Sequence, residues 1–220
     1  MATRVNFDRE LIKLRQSLLE MSDQIEHAYG KLLKGLRRRD GELLEQIREE
    51  DHIIDDMQRA IESRCLTLLI KQTPVARDMR VVSASLKMVT DLERSGHHAA
   101  DIAEIFLRMS QADLEEYSKE IDDMISKVVM MHKSAVTAFV ERNEDLANQT
   151  IAYDDEIDGC FNDIKNDIIA KIHSGAVNPD GCVDALLVAK WLEKVGDHAV
   201  NICEWEIFQE TGTIGEHRIM

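Results

Sequence analysis

The chain has 220 residues, 44% of them hydrophobic, enough for one large domain or two small ones with a sizeable core. Only 2 prolines and 10 glycines interrupt it and 5% of residues are aromatic, which argues for long helices and against a sheet. A net charge of −15 excludes nucleic acid and anionic lipid as natural partners and favours cations or basic protein surfaces.

The first periodic segment runs over 7–38, where Leu11, Leu14, Leu18, Met21 and Ile25 recur at helical spacing. The stretch before it, "MATRVNFDRELIKL", does not read as a signal peptide. The segment closes on Arg37, Arg38 and Arg39, the one dense basic run, which suits the negative end of a helix dipole. A second helix is expected over 41–72 and a third over 74–110, entered through Thr73 as N-cap and Pro74 as first helical residue. Three more are expected over 115–142, 144–174 and 179–210, the last entered through Asn178 and Pro179. Helices near 30 residues are about 45 Å long, and short connections make consecutive ones antiparallel. No apolar run reaches the roughly 18 residues that cross a bilayer, so no membrane insertion is expected. Cys65, Cys160, Cys182 and Cys203 form no CxxC pair and read as small core residues of a protein in the reducing cytoplasm.

The two Pro-initiated helices lie 105 residues apart, and their downstream segments are alike. "DLERSGHHAADIAEIF" (91–106) stands against "WLEKVGDHAVNICEWEIF" (191–208), matching Glu93 to Glu193, Gly96 to Gly196 and His98 to His198. Upstream, Asp51 and Asp55 match Asp154 and Asp158. This is a two-fold internal repeat. The expected architecture is all-α: two tandem three-helix bundles, residues 1–110 and 111–220, joined near Met109–Glu115.

The sixth helix carries Glu193, Asp197 and Asn201 beside its apolar stripe, at i, i+4 and i+8. If the fifth helix packs antiparallel against it, Asp154 and Asp158 face that ladder and four carboxylates converge. Four uncompensated carboxylates repel, so convergence calls for a cation. An all-oxygen set suits magnesium, calcium, manganese or iron better than a structural zinc. A solvated edge with Lys190 and Lys194 as partners explains the same acids. The first half offers Asp51 and Asp55 opposite Glu93, His97 and Asp101. A nitrogen replaces one oxygen there, which suits iron, zinc or nickel. The carboxylate ladder is expected to hold metal further into mild acid, since carboxylates titrate about two units below histidine. His98 and His198 read as core histidines. A ferritin-like di-iron enzyme needs two ExxH pairs in one bundle, and only Glu49–His52 has that spacing. No phosphate loop, GxSxG elbow or dinucleotide fingerprint is present.

The paired stretches "DLERSGHHAADIAE" and "WLEKVGDHAVNICE", with "TPVARDMR" (73–80) entering the third helix, resemble the signature of the PhoU family over essentially the whole chain. The resemblance implies an elongated all-helical protein, often a homodimer. It implies a cytoplasmic adaptor, not an enzyme, which works with the ATPase subunit of the phosphate ABC transporter and with the phosphate-sensing histidine kinase. In phosphate plenty such a protein restrains uptake and holds the phosphate-starvation response off. The resemblance also implies multinuclear metal sites on E/D-x-x-x-D motifs. Here those are Asp154 and Asp158 with Glu193 and Asp197, and Asp51 and Asp55 with Glu93 and His97. His97 departs from the family motif, and Asp101 stands where the family usually has Asn. A metal-dependent enzyme or a metal store on the same acidic bundle is the competing reading.

Overall fold

The computed structural model describes residues 2–71, 75–175, 178–214 and 217–218. Six helices account for nearly all of them: α1 (Ala2–Arg38), α2 (Gly41–Lys71), α3 (Ala76–Arg108), α4 (Gln111–Glu141), α5 (Glu144–Ser174) and α6 (Pro179–Thr211). A two-residue hairpin, β1 (Thr213–Ile214) against β2 (His217–Arg218), comes after α6. It lies beyond the helices expected from the periodicity.

Each helix carries an apolar stripe, and most of the described helix ends are capped. In α1, Leu14, Leu18, Met21, Ile25 and Leu32 are each at most 1% exposed. Burying a side chain of this size stabilises by about 1.5–3 kcal/mol, and Leu18→Ala would cost about 2–5 kcal/mol. The turns after α1 and α4 are built alike. Arg39 and Arg142 take left-handed φ values of 56° and 58°. The next amide then reaches back into the last helical turn, Asp40 N to Gly35 O at 3.1 Å and Asn143 N to Ala138 O at 2.9 Å. This closes the orphan carbonyls in the Schellman manner. Asp40 and Asn143 then cap the next helices through Leu43 N (3.3 Å) and Leu146 N (3.0 Å).

The helix ends differ from the sequence expectation where a further cap intervenes. Ser110 Oγ accepts from Asp113 N at 3.2 Å, so α4 starts at Gln111 and the link between the halves is only Met109–Ser110. Asn178 caps α6 through Asp180 N at 3.2 Å, with Pro179 in the first turn as expected. Thr73 and Pro74 lie outside the described residues; α3 itself begins at Ala76, and the Asp78 carboxylate accepts from Val75 N at 3.3 Å.

Within each half consecutive helices pack on one another, and the halves meet chiefly along α3 against α6, with α1 against α4 beside them. Gly96 and Gly196 set the distance between the helices that carry the acids. A Cβ at Gly96 would sit 3.0 Å from Ile54 Cγ2, and one at Gly196 would sit 2.9 Å from Asp154 Oδ1. Glycine weakens a helix interior, and here that cost allows α2 to approach α3, and α5 to approach α6, closely. Cys65, Cys182 and Cys203 are buried and Cys160 is half-buried, all as free thiols. No helix among the described residues is long and apolar enough to cross a membrane.

Candidate metal centres

In the first half, Asp51 and Asp55 on α2 face Glu93 and His97 on α3, and all four side chains are half-buried. His97 is the hub. Its Nδ1 lies 2.8 Å from Asp51 Oδ2, and its Nε2 lies 3.1 Å from Asp55 Oδ1 and 3.3 Å from Glu93 Oε1. Both ring nitrogens can donate only when the ring is an imidazolium. Burial pushes the His97 pKa down. The Asp51 hydrogen bond and the charges of Asp51, Glu93 and Asp55 outweigh it and hold the pKa above its ordinary value. When protonated, the ring is the counter-ion of these three carboxylates. Asp55, Glu93 and His97 each offer a ligand atom, and these atoms lie within 4.8 Å of one another. A metal at this trio would take Nε2 of the neutral ring. Asp51 would keep the Nδ1–H and fix the tautomer, as outer-shell carboxylates do for metal-bound histidines. Asp101 does not join the trio: it is exposed, and its Oδ2 lies 3.4 Å from His98 Nδ1.

In the second half Asp154 and Asp158 on α5 face Glu193 and Asp197 on α6. Burial, with the charges of Asp158, Asp197, Glu193 and Asp155 behind it, pushes the Asp154 carboxyl up to about 6. The charges of Asp158, Glu193 and Asp197 all bear on Asp154, but no two of these acids share a proton or a hydrogen bond among the contacts seen. They do not close to ligand distance. The first-half trio is the only such group among the described residues. Lysines occupy the second ladder instead: Lys190 Nζ lies 2.5 Å from Glu193 Oε2, and Lys194 pairs with Asp197 and reaches Glu193 at 3.4 Å. The expected tolerance of this ladder to mild acid narrows accordingly, because Asp154 titrates far above an ordinary aspartate. Asn201 also turns elsewhere, its amide donating to Asp91 Oδ1 at 3.0 Å.

Sequence reasoning missed Asp91 and Trp191, which occupy equivalent positions of the repeat. Asp91, buried on α3, accepts from His198 Nδ1 at 2.9 Å. Trp191 on α6 stacks on His98, with ring centroids 4.9 Å apart and planes 17° from parallel. His98 and His198 stack in turn at 5.7 Å. Both histidines thus serve the seam between the halves. The pairings 91–198 and 98–191 also fix α3 and α6 as antiparallel at the crossing. The isolated ExxH spacing has no metal-binding geometry: His52 is exposed and its Nδ1 bonds the Glu49 carbonyl at 2.7 Å.

The family model described as PhoU domain matches twice, over residues 18–106 and 121–205. A phosphate-specific transport system accessory protein PhoU homolog of Clostridium acetobutylicum is 36% identical over 211 residues, 96% of each chain. The PhoU homolog 1 of Thermotoga maritima is 32% identical over 213 residues, 96% of this chain and 92% of its own. Among solved structures, the phosphate transport system regulatory protein PhoU of Streptococcus pneumoniae superimposes with a TM-score of 0.89 at 29% identity, covering 96% of this chain and 100% of that one.

Proposed function

This chain belongs to the PhoU family, and we propose that it is a cytoplasmic regulatory adaptor of phosphate uptake and signalling. It restrains the phosphate ABC transporter through the ATPase subunit and holds the sensor histidine kinase in its repressing state when phosphate is plentiful. The observation that carries this reading is the likeness, over 96% of the chain, to proteins named as accessories of the phosphate-specific transport system. The build of the molecule suits an adaptor. Two like bundles, 1–110 and 111–220, meet along a polar seam of Asp91, His98, His198 and Asn201. A partner that prefers one arrangement of the two bundles would shift the population toward it. A homodimer belongs to the same proposal.

Metal is part of the reading. The first-half trio Asp55, Glu93 and His97 is the better formed centre, with Asp51 as its outer support and iron, zinc or nickel as suitable ions. The second ladder, Asp154, Asp158, Glu193 and Asp197, fits a hard cation such as magnesium or manganese once Lys190 and Lys194 swing away. A bound ion there would replace mutual repulsion with a cross-link between neighbouring helices.

The test is a gene deletion and a pull-down. Loss of the gene is expected to derepress phosphate-starvation genes in high phosphate. The purified chain is expected to retain the transporter's ATPase subunit. Normal repression in the deletion strain together with no retention would overturn the adaptor reading.

A further inference from the structure

The basic run that closes α1 is put to a use that neither ladder explains. Arg37 reaches α4 and donates to Asp122, Nε to Oδ1 at 2.5 Å and Nη2 to Oδ2 at 2.8 Å. Arg39 pairs with Glu115, also on α4. It does so from a left-handed backbone position that a glycine would take without strain; Gly175 and Gly212 close α5 and α6 in that way. At 39 the chain keeps a long cationic side chain instead. Both guanidiniums remain accessible, Arg37 being 59% and Arg39 42% exposed.

Beside these ion pairs two cavities of about 330 and 230 Å³ adjoin, sharing Leu36, Arg39 and Leu114 as walls. Together they make one cleft between the end of α1 and the start of α4, and so between the two halves. The larger part carries Arg37, Arg39 and Lys119 against Glu115 and Asp122, a net positive lining in a chain whose net charge is −15. Lys119 is exposed and pairs with no acid among the described residues. The smaller part is floored by Leu44 and Phe106, 4% and 2% exposed. Its volume is several times the roughly 30 Å³ of one water, which leaves room for a bulky apolar side chain.

Exposed cations alone hold an anion weakly. Across an interface they speed encounter and select partners more than they add affinity. Affinity here must come from apolar burial beside them. A small inorganic anion would leave the apolar part empty, and an uncharged apolar ligand would leave Lys119 unpaired. We propose that the cleft is a docking site for an acidic segment of a partner protein. The segment sets a bulky apolar side chain against Leu36, Leu44 and Leu114 and its carboxylates against Lys119 and the arginine rim. A second copy of the chain is a poor occupant, because two chains of net charge −15 repel. A docked segment touches α1 of the first half and α4 of the second, so it favours one arrangement of the bundles over others. The inference gives the adaptor reading a surface, and it rests on that reading only for the expectation of a protein partner.

The experiment is fluorescence anisotropy of a labelled synthetic peptide, Glu-Asp-Leu-Glu-Asp-Phe-Glu-Asp, titrated with the full chain. One control peptide carries Lys for every acid, and a second carries Ser for Leu and Phe. The acidic apolar peptide is expected to bind, and each control to bind at least about tenfold more weakly. Added salt should weaken binding, since the charges are exposed. Lys119→Glu should weaken it about tenfold. Lys87→Glu makes the same charge change about 28 Å along α3 from Phe106, and it should change nothing. Ser118→Trp should abolish binding by filling the larger part of the cleft. Circular dichroism melts check that each variant folds; if Ser118→Trp does not, Lys119→Glu and the control peptides carry the test. The proposal is overturned if the acidic peptide shows no binding at millimolar concentration, if the lysine peptide binds as well, or if Lys119→Glu binds as tightly as wild type. Free glutamate displacing the peptide at equal concentration would mark a simple ion site, and a dimer in sedimentation that Ser118→Trp dissociates would give the cleft to a second copy; either result overturns it too. A chain that retains the transporter's ATPase subunit but ignores the peptide would remove this site and leave the adaptor reading standing.

Discussion

His198 of α6 donates through Nδ1 to the carboxylate of Asp91 on α3 at 2.9 Å, and this bond crosses the boundary between the two halves of the repeat. The same oxygen accepts the Asn201 amide at 3.0 Å. At the repeat-equivalent positions the arrangement changes character, since Trp191 stands in place of Asp91 and His98 stacks on it. One seam is therefore held by a hydrogen-bonded triad on one side of its pseudo-two-fold axis and by ring stacking on the other.

That asymmetry makes the triad separable by mutation. Asp91→Ala is expected to destabilise the fold by about 1–3 kcal/mol, because it leaves the buried His198 donor, and the half-buried Asn201 amide, without their acceptor. In a double-mutant cycle with His198→Ala the coupling should be about 1–3 kcal/mol. Urea unfolding of the four proteins measures it. Simple additivity would mean that the bond contributes nothing to holding the halves together.

His132 on α4 is buried, and neither ring nitrogen has a hydrogen-bond partner among the described residues. Burial, with some help from the charge of His198, lowers its pKa to about 4. The unfolded chain protonates this ring near pH 6.5, and the folded one does so only near 4. The unfolded state therefore binds the extra proton in that window, and stability falls as pH drops through it. The loss should approach about 3 kcal/mol by pH 4. His132→Phe is expected to remove this part of the acid sensitivity, read as a flatter plot of unfolding free energy against pH. An unchanged slope would assign the acid loss to other groups.

The fold is legible in the sequence because its signals are local. Helical period, the Asn178–Pro179 entry and the two-fold recurrence each occupy a few adjacent residues. The start of α4 departs from expectation because Ser110, with no apolar period to announce it, acts as the cap. The site is legible in part. Residues at i and i+4 stay close to one face, so Glu93 with His97 and Glu193 with Asp197 point as expected. A third member at i+8 has rotated by about 80°. That carries Asn201 round to Asp91 and Asp101 round to His98, away from both ladders. Asp91 is not legible because its role depends on how α3 crosses α6, which no single-helix spacing encodes.

The raised carboxyl of Asp154 yields a stability prediction for the metal-free protein. Its folded pKa of about 6 lies above the ordinary 3.8, so the folded state binds the extra proton between those values. Stability then falls as pH rises through the window and stays lower above it. Removing the charge should relieve this. Asp154→Asn is expected to stabilise chelated protein by about 1–2 kcal/mol at pH 7.5 and to change little at pH 4. Thermal melts in the presence of a chelator test the difference. A destabilising effect at pH 7.5 would mean that Lys190 and Lys194 already neutralise the cluster.

His97 gives the sharpest pH dependence, and its sign reverses with metal. Its folded pKa is raised, so in chelated protein the imidazolium contributes stability that is full below about 6.5, the unfolded value. That contribution is lost as pH rises through the folded pKa. Metal needs the neutral ring, so protons and metal compete at Nε2, and the raised pKa moves that competition upward in pH. Chelated wild type should lose the His97 contribution as pH rises above about 6.5, whereas protein with iron or zinc should gain stability over the same range. His97→Ala should flatten both profiles and remove one metal site per chain, because Asp55 and Glu93 alone are a poor set for a borderline metal. Asp51→Asn is the finer probe. It keeps a hydrogen-bonding partner at Nδ1 but lowers ligand basicity, so metal affinity should fall about 10- to 100-fold with the stoichiometry preserved. Metal content per chain, measured by elemental analysis across the pH series for wild type, His97→Ala and Asp51→Asn, decides the matter. Equal metal content and equal pH profiles in wild type and His97→Ala would show that the ring is not a ligand and that its three carboxylate contacts serve only to neutralise the acids around it.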